Sequence, residues 1–288
     1  MTRVCSLLPS VTEIVAELGA IDALVGVSEE CRWPADVVGK PVVSAARIDL
    51  GGLSGSEIDE AVRSAVSDGR SLYAVDADLL DRLDPDLIVT QDLCAVCAVS
   101  GDQVTDACPS GARVLSLDPR SLDEVAESVR TLAAELGAVE RGEQIVSQMQ
   151  LTIDFAAAAV RGLRRRRVFF AEWVDPPFCS GHWLPEMIEL AGGVDVLGRR
   201  GEPSYRTTWT KVRESRPELV IVGPCGLGAE EAAAAASGLE LDCPAVAVDA
   251  DGYFVRPGPR LAEGVAQLAH LFHPEHAPDP GLPAIALF

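Results

Sequence analysis

Val4-Cys5-Ser6-Leu7-Leu8-Pro9-Ser10-Val11-Thr12-Glu13 reads as a strand that runs straight into a helix. Residues 4–8 form a short, mostly apolar run, as a strand buried on both faces requires. Pro9-Ser10 follow the strand directly. Ser10 and Glu13 have the spacing of a capping box, and the helix they open is predicted to reach Leu18 and close at Gly19. The pattern repeats outward. Leu24–Val27, Val42–Ser44, Leu87–Thr90 and Val114–Leu117 are further short apolar strands, with helical periodicity over 55–68 and 76–83. Strands spaced by helices predict a parallel sheet covered on both faces.

From Ser121 the period changes. Ser121 with Glu124 is a second capping box. The helical pattern behind it continues, with a break available at Gly137, through Ile145, Met149 and Ile153 to Val160. Such a run exceeds an ordinary globular helix. The arginines of 161–167 suit its C-terminus. Strand–helix alternation then restarts: strands at Val168–Glu172, Leu219–Val222 and Ala245–Val248, helices at Pro185–Ala191, Glu230–Ser237 and Gly258–Phe272. The predicted organisation is an α/β lobe over 1–120, a linking long helix over 121–165, a second α/β lobe over 166–272 and a Pro-rich surface tail over 273–288. The fold class is α/β: two Rossmann-like lobes joined by one long backbone helix, with a ligand cleft between them.

Composition narrows the function. Among 288 residues, 24 Lys+Arg stand against 44 Asp+Glu, a formal charge of −20 that repels nucleic acid and anionic lipid. With 48% apolar and 24% charged residues the chain is globular in character. No apolar run approaches the ~20 residues of a membrane span. The opening segment, interrupted by Pro9 and Glu13, lacks the pattern of a secretory leader, so a cytoplasmic location is expected. Eight cysteines there default to free thiols. Cys94 and Cys97 form a close pair without the second pair that a zinc site needs.

In open α/β sheets ligands bind beyond the C-terminal ends of the strands. The segments leaving those ends hold the candidate site. They supply Pro9 and Ser10; Glu30, Cys31, Arg32 and Trp33; Arg47; Gln91, Cys94 and Cys97; Trp173, Pro177, Phe178, Gly181, His182 and Trp183; Trp209; and Cys225. All but one of the four tryptophans fall in such loops, and the fourth, Trp209, precedes a helix in another; several of these loops are stiffened by proline. That predicts a broad, rigid, aromatic-lined cleft for a large flat ligand with polar edges. No Walker loop, dinucleotide fingerprint or nucleophile elbow is present, and no catalytic residue is assigned.

These residues resemble a known family. Residues 5–13, followed by Val25-Gly26-Val27-Ser28, are similar to the first lobe of the helical-backbone (class III) substrate-binding proteins of vitamin B12, siderophore and haem importers. Asp84-Pro85-Asp86-Leu87-Ile88-Val89 and Arg216-Pro217-Glu218-Leu219-Val220-Ile221 are similar to that family's recurrent strand entry. Pro176-Pro177-Phe178, Ser180-Gly181 and Glu189-Leu190-Ala191-Gly192-Gly193 most resemble the cobalamin binders. The resemblance implies a corrinoid held between two lobes. It also implies one exposed glutamate per lobe for transporter docking. The matching positions are Asp78 and Thr210, which speak against docking.

The expectation is a cytoplasmic relative of the vitamin B12-binding proteins. It would bind cobalamin or a related corrinoid as a carrier or sequestering protein, with a cobalamin-dependent or cobalamin-processing protein as recipient. His182 is the candidate axial ligand of cobalt, because neutral imidazole is the commonest protein ligand for such metals. Two alternatives stand beside this: a cobalamin-processing enzyme that uses the Cys94/Cys97 pair, and a haem- or siderophore-binding protein.

Overall fold

In the computed structural model, which describes residues 2–47, 52–68, 72–91 and 111–287, the opening strand β1 (Val4–Ser6) lies inside a six-stranded sheet. Its companions are β2 (Leu24–Ser28), β3 (Val42–Ala46), β4 (Tyr73–Val75), β5 (Leu87–Thr90) and β6 (Arg113–Ser116), in the order β4-β3-β2-β1-β5-β6. Pairing is parallel except at β3–β4, where Ser44 faces Val75 in antiparallel register. That edge strand was not expected. It follows α2 (Gly55–Ser67), which carries the chain away from β3 and back. The chain builds β2 and β3 on one side of β1, then crosses to β5 and β6 on the other. Between β1 and β5, where Cys5 pairs with Ile88, the strand order reverses.

Helix α1 (Pro9–Glu17) starts one residue before Ser10, and this corrects the first capping box. Leu8 is the cap residue, extended at φ −136° and without a side-chain cap, and Pro9 occupies the first turn. Leu7 donates its N–H to the Val89 carbonyl at 3.0 Å, which keeps the chain in the sheet until proline turns it. Ser10 and Glu13 are therefore inside the helix and buried, at 4% and 3% exposure. In α3 (Ala77–Leu83) the cap is regular: Asp76 accepts the Leu79 N–H at 2.9 Å.

The long helical run is two helices, α4 (Leu122–Glu135) and α5 (Val139–Ala159). The break falls at Gly137, whose φ of 68° only glycine adopts without strain. Ser121 does cap α4, accepting the Glu124 N–H at 3.2 Å, while Glu124 reaches back to the Arg120 N–H at 2.6 Å. The two helices touch at Gly142, where a Cβ would lie 2.5 Å from that of Ala133. At 21 residues α5 is about 30 Å long. The chain forms two compact units, Met1–Pro119 with Ala126–Val146, and Arg120–Val125 with Ser147–Phe288, so it passes between them just before α4, again near the start of α4 and finally within α5.

The second unit contains a seven-stranded sheet. Its strands are β7 (Arg166–Val174), β8 (Pro177–Cys179), β9 (Gly193–Asp195), β10 (Tyr205–Arg206), β11 (Leu219–Val222), β12 (Ala245–Val248) and β13 (Ala284–Ala286). The order is β10-β8-β7-β11-β12-β13, with β9 beside the first half of β7. Helices α6 (Leu184–Leu190), α7 (Trp209–Glu214), α8 (Ala229–Ala235), α9 (Ala250–Tyr253) and α10 (Leu261–Phe272) connect them. Phe169, Ala171, Val220 and Val222 are fully buried, as a sheet covered on both faces demands.

One expectation about this unit is corrected. The arginines after α5 do not cap it, since the helix ends at Ala159. They stitch the sheet's N-terminal edge: Arg164 holds Glu218 at 2.9 Å, Arg165 holds Glu189 at 3.2 Å and Arg167 donates to the Arg216 carbonyl. The tail lies mostly on the surface, as expected, and it is paired there. It returns to add β13 antiparallel to β12, with Gln267 Nε2 bonded to the Pro283 carbonyl at 3.0 Å and His273 Nε2 3.2 Å from the Gly192 carbonyl. Pairing with an open sheet edge outweighs the low strand propensity of a Pro-rich approach.

Candidate functional site

In the first unit the C-terminal strand ends carry hydroxyls. Ser6, Ser28, Ser44, Thr90 and Ser116 lie at or near the ends of β1, β2, β3, β5 and β6. Ser6, Ser28, Ser44 and Thr90 are buried. Ser6 donates to the Leu8 carbonyl, and Thr12 reaches both Ser6 Oγ at 2.8 Å and Cys31 Sγ at 3.1 Å. Polar groups at the floor of an apolar sheet are costly unless bonded; Ser44 Oγ has no hydrogen-bond partner, and the row of hydroxyls is what marks this edge. Sequence reading missed it, although a Ser or Thr recurs at every one of those strand ends. Pro9, half-buried, and Ser10 begin α1 at this edge, and Gln91 follows β5 at 6% exposure. Cys31 is buried beneath Thr12, whereas Trp33 stands 38% exposed. Arg32 pairs with Glu30 at 3.7 Å, and Arg47 is held by the Tyr73 carbonyl at 3.0 Å. Cys94 and Cys97 lie outside the described residues.

In the second unit the corresponding edge is formed by the loops after β7, β11 and β12 and by the hairpin to β8. Trp173 and Phe178 are half-buried there, and the Trp173 indole donates to the Asp175 carbonyl at 3.1 Å. Trp209 donates to the Val174 carbonyl at 3.0 Å and meets the Phe169 ring edge-on at 5.9 Å. Pro177 and Gly181 are buried, and Cys225 is exposed. Trp183, expected as a ligand contact, is only 4% exposed and spends its N–H on the Phe254 carbonyl at 2.7 Å. It is a core residue, because α6 starts directly after it and draws the ring inward.

His182 sits at φ 49°, with its ring 5.6 Å from that of Trp183. Its Nε2 is shielded from solvent and has no hydrogen-bond partner, so that atom is not presented to a ligand as the ring stands. Burial, then the Arg120 charge, hold the imidazole below the usual histidine range. Ser180 Oγ is bonded to Asp195, which also accepts the N–H groups of Leu197 at 3.1 Å and Gly198 at 2.6 Å. Burial raises the Asp195 carboxyl above the usual range, with those hydrogen bonds opposing it.

Tyr253, Arg256 and Arg260, which follow β12, were not foreseen. Arg256 is clamped on Asp251 at 2.5 Å, and Arg260 lies over the Tyr253 ring at 5.4 Å. The sequence signal was Arg256-Pro257-Gly258-Pro259-Arg260 directly beyond a strand end. A groove of about 450 Å³ near Val160 and Gly192 is a different feature. It lies at the opposite end of β7, and its Arg165 and Arg200 are paired with Glu189 and Glu186. Among the described residues no group of three or more His, Cys, Asp or Glu could hold a metal ion, and no helix is long and apolar enough to cross a membrane.

A family model described as periplasmic binding protein matches residues 4–248. An uncharacterized ABC transporter substrate-binding lipoprotein, YvrC of Bacillus subtilis, is 23% identical over 286 residues, covering 95% of this chain and 80% of that relative. A vitamin B12-binding protein of Salmonella choleraesuis is 27% identical over 175 residues, 58% of this chain and 63% of that relative. Among solved structures, the apo periplasmic heme-binding protein RhuT of Roseiflexus sp. RS-1 superposes with a TM-score of 0.70 at 21% identity, covering 95% of this chain and 98% of that one. That likeness is one of fold.

Proposed function

This chain belongs to the periplasmic binding protein family, and on that premise we propose that it binds cobalamin or a related corrinoid. The observation that carries the reading is the combination of aromatic rings and guanidinium groups already engaged within the protein on the loops at the C-terminal strand ends. Trp33, Trp173 and Phe178 offer flat apolar area. Arg32 is matched by Glu30, Arg256 by Asp251, and Arg260 lies over Tyr253. A ligand with carboxylate arms would call for guanidinium groups that are not already paired. A corrin rimmed by neutral amides calls instead for apolar faces and scattered hydrogen-bonding groups, such as Ser10 and Gln91. The vitamin B12-binding relative supports the same reading.

The test is direct. Purified protein is titrated with cyanocobalamin and, separately, with hemin, following heat and the visible spectrum. Saturable uptake of cobalamin supports the proposal. Uptake of hemin alone replaces it with a haem-binding role, to which the fold of RhuT is equally suited.

Two further parts of the proposal have their own checks. If His182 ligates cobalt, His182→Ala would shift the visible bands of bound cobalamin; unchanged bands remove His182 from the metal. A cytoplasmic setting fits Cys5, Cys31, Cys179, Cys225 and Cys243, all free thiols. Cell fractionation that finds the protein only beyond the membrane would overturn that part.

A further inference from the structure

Between β7 and β8 the register slips. Ala171 faces Cys179 and Trp173 faces Phe178, so two steps along β7 match one along β8, and Glu172 is the extra residue of a β-bulge. A bulge gives up a ladder pairing and re-aims a side chain, commonly beside a functional site. Here the re-aimed group is the Glu172 carboxylate, and it accepts the Gly181 N–H at 2.7 Å. The Glu172 carbonyl accepts the Cys225 N–H at 3.0 Å. One bulged residue thus ties the β7 end, the β11 loop and the segment Ser180–His182.

That segment is fixed from its other side as well. The His182 N–H donates to the Glu202 carbonyl at 2.7 Å, and the Gly201 N–H to the His182 carbonyl at 2.9 Å. A Cβ on Gly181 would lie 2.3 Å from Ser204 N and 2.6 Å from the Glu202 carbonyl, so residues 202–204 press directly on it. The Gly181 N–H would be a buried orphan without Glu172, since its other neighbours offer it no acceptor bond among those described.

We infer that Glu172 is a positioning residue of the ligand site: from the bulge in β7, its carboxylate locks the Ser180–His182 segment in one conformation and so pre-organises the loop that meets the ligand. This rests on the proposed ligand-binding role. A loop ordered in advance does not have to be ordered on binding, so its rigidity appears as affinity. A charge-assisted hydrogen bond to a buried N–H is among the stronger local restraints.

The experiment compares the parent with Glu172→Ala, Glu172→Gln and Glu172→Asp in the full chain. It reads cyanocobalamin and hemin affinity by titration, and hydrogen exchange in the peptide that contains Gly181. Glu172→Ala should bind about ten-fold or more weakly and lose protection at Gly181. Glu172→Gln, which keeps an acceptor at the same reach, should restore both. Glu172→Asp, one methylene short, should behave like Glu172→Ala and serves in its place if the alanine variant fails to fold. A parent that binds neither probe defeats the ligand reading, and the positioning role falls with it. A parent that binds, with Glu172→Ala and Glu172→Asp unchanged in affinity and exchange, overturns the inference alone.

Discussion

Trp183 donates its indole N–H to the Phe254 carbonyl at 2.7 Å, joining the start of α6 to the end of α9 across 71 residues of sequence. The contact sets Trp183 apart from the exposed Trp33. Trp183→Phe keeps the ring but leaves a buried carbonyl without its donor, which should cost about 1–3 kcal/mol of stability. Ligand affinity should stay as it was. Trp33→Ala is the complement: a 38% exposed ring whose loss should weaken binding by about 2 kcal/mol. Denaturant unfolding and ligand titration on both variants check the pair; a reversal of roles would return Trp183 to the ligand surface.

Asp195 and His182 should respond to pH with opposite signs. Burial raises the Asp195 carboxyl, so its contribution to stability is present below the unfolded-state pKa and is lost as pH rises through the folded one. Asp195→Asn should therefore gain on the parent as pH climbs from ~4. The His182 imidazole is held low, so its contribution is present above the unfolded value and is lost as pH falls through the folded one. His182→Gln should gain on the parent as pH drops below ~6.5. Urea unfolding between pH 4 and 8 measures both differences, and a flat profile in either contradicts the burial argument.

Gly181→Ala and Gly19→Ala separate two reasons for glycine. At Gly181 the new methyl meets the backbone of residues 202–204, which has to shift to admit it. Overpacking of this kind should cost about 1–3 kcal/mol and displace the site loop. At Gly19 nothing lies within 4 Å, and the only obstacle is a φ of 74°. There the cost should be about 1 kcal/mol with ligand affinity intact. Equal losses of affinity in the two variants would argue against a site at residues 180–182.

The cysteines should differ sharply in reactivity. Burial pushes the Cys5 thiol up to about 12, and Cys179 is raised for the same reason. Cys225 is exposed. Brief alkylation of the native protein, followed by peptide mapping, should therefore mark Cys225 and leave Cys5, Cys31 and Cys179 unmodified until denaturant is added. Native labelling of Cys5 would show that the first sheet opens.

Much of the fold was legible because its signals are local. β5, β11 and β12 fall on the residues their apolar runs defined, and the break at Gly137 was written in the helical pattern. The edge strands β4, β10 and β13 were not legible, since each is only two or three residues long and exists by pairing with a partner distant in sequence. Ser10 and Glu13 failed as a cap for a similar reason: the Leu7–Val89 hydrogen bond and Pro9 settled where the helix begins. Within the candidate site, the loops were found by their place after strands, but burial inside them was not. Trp33 and Trp183 look alike as residues in Pro-rich or Gly-rich loops, and only packing separates an exposed ring from a core one.

The sequence by itself determined the alternation of strands and helices, the two α/β halves and the loops that leave the strand ends, because apolar periodicity and turn chemistry act over a few residues. The tertiary structure decided the register slip that turns Glu172 onto Gly181, the inward fate of Trp183 and the pairing of the arginines after α5. Each of these depends on a partner nine to seventy-one residues away, and which acceptor a buried donor finds is settled only when the chain is folded.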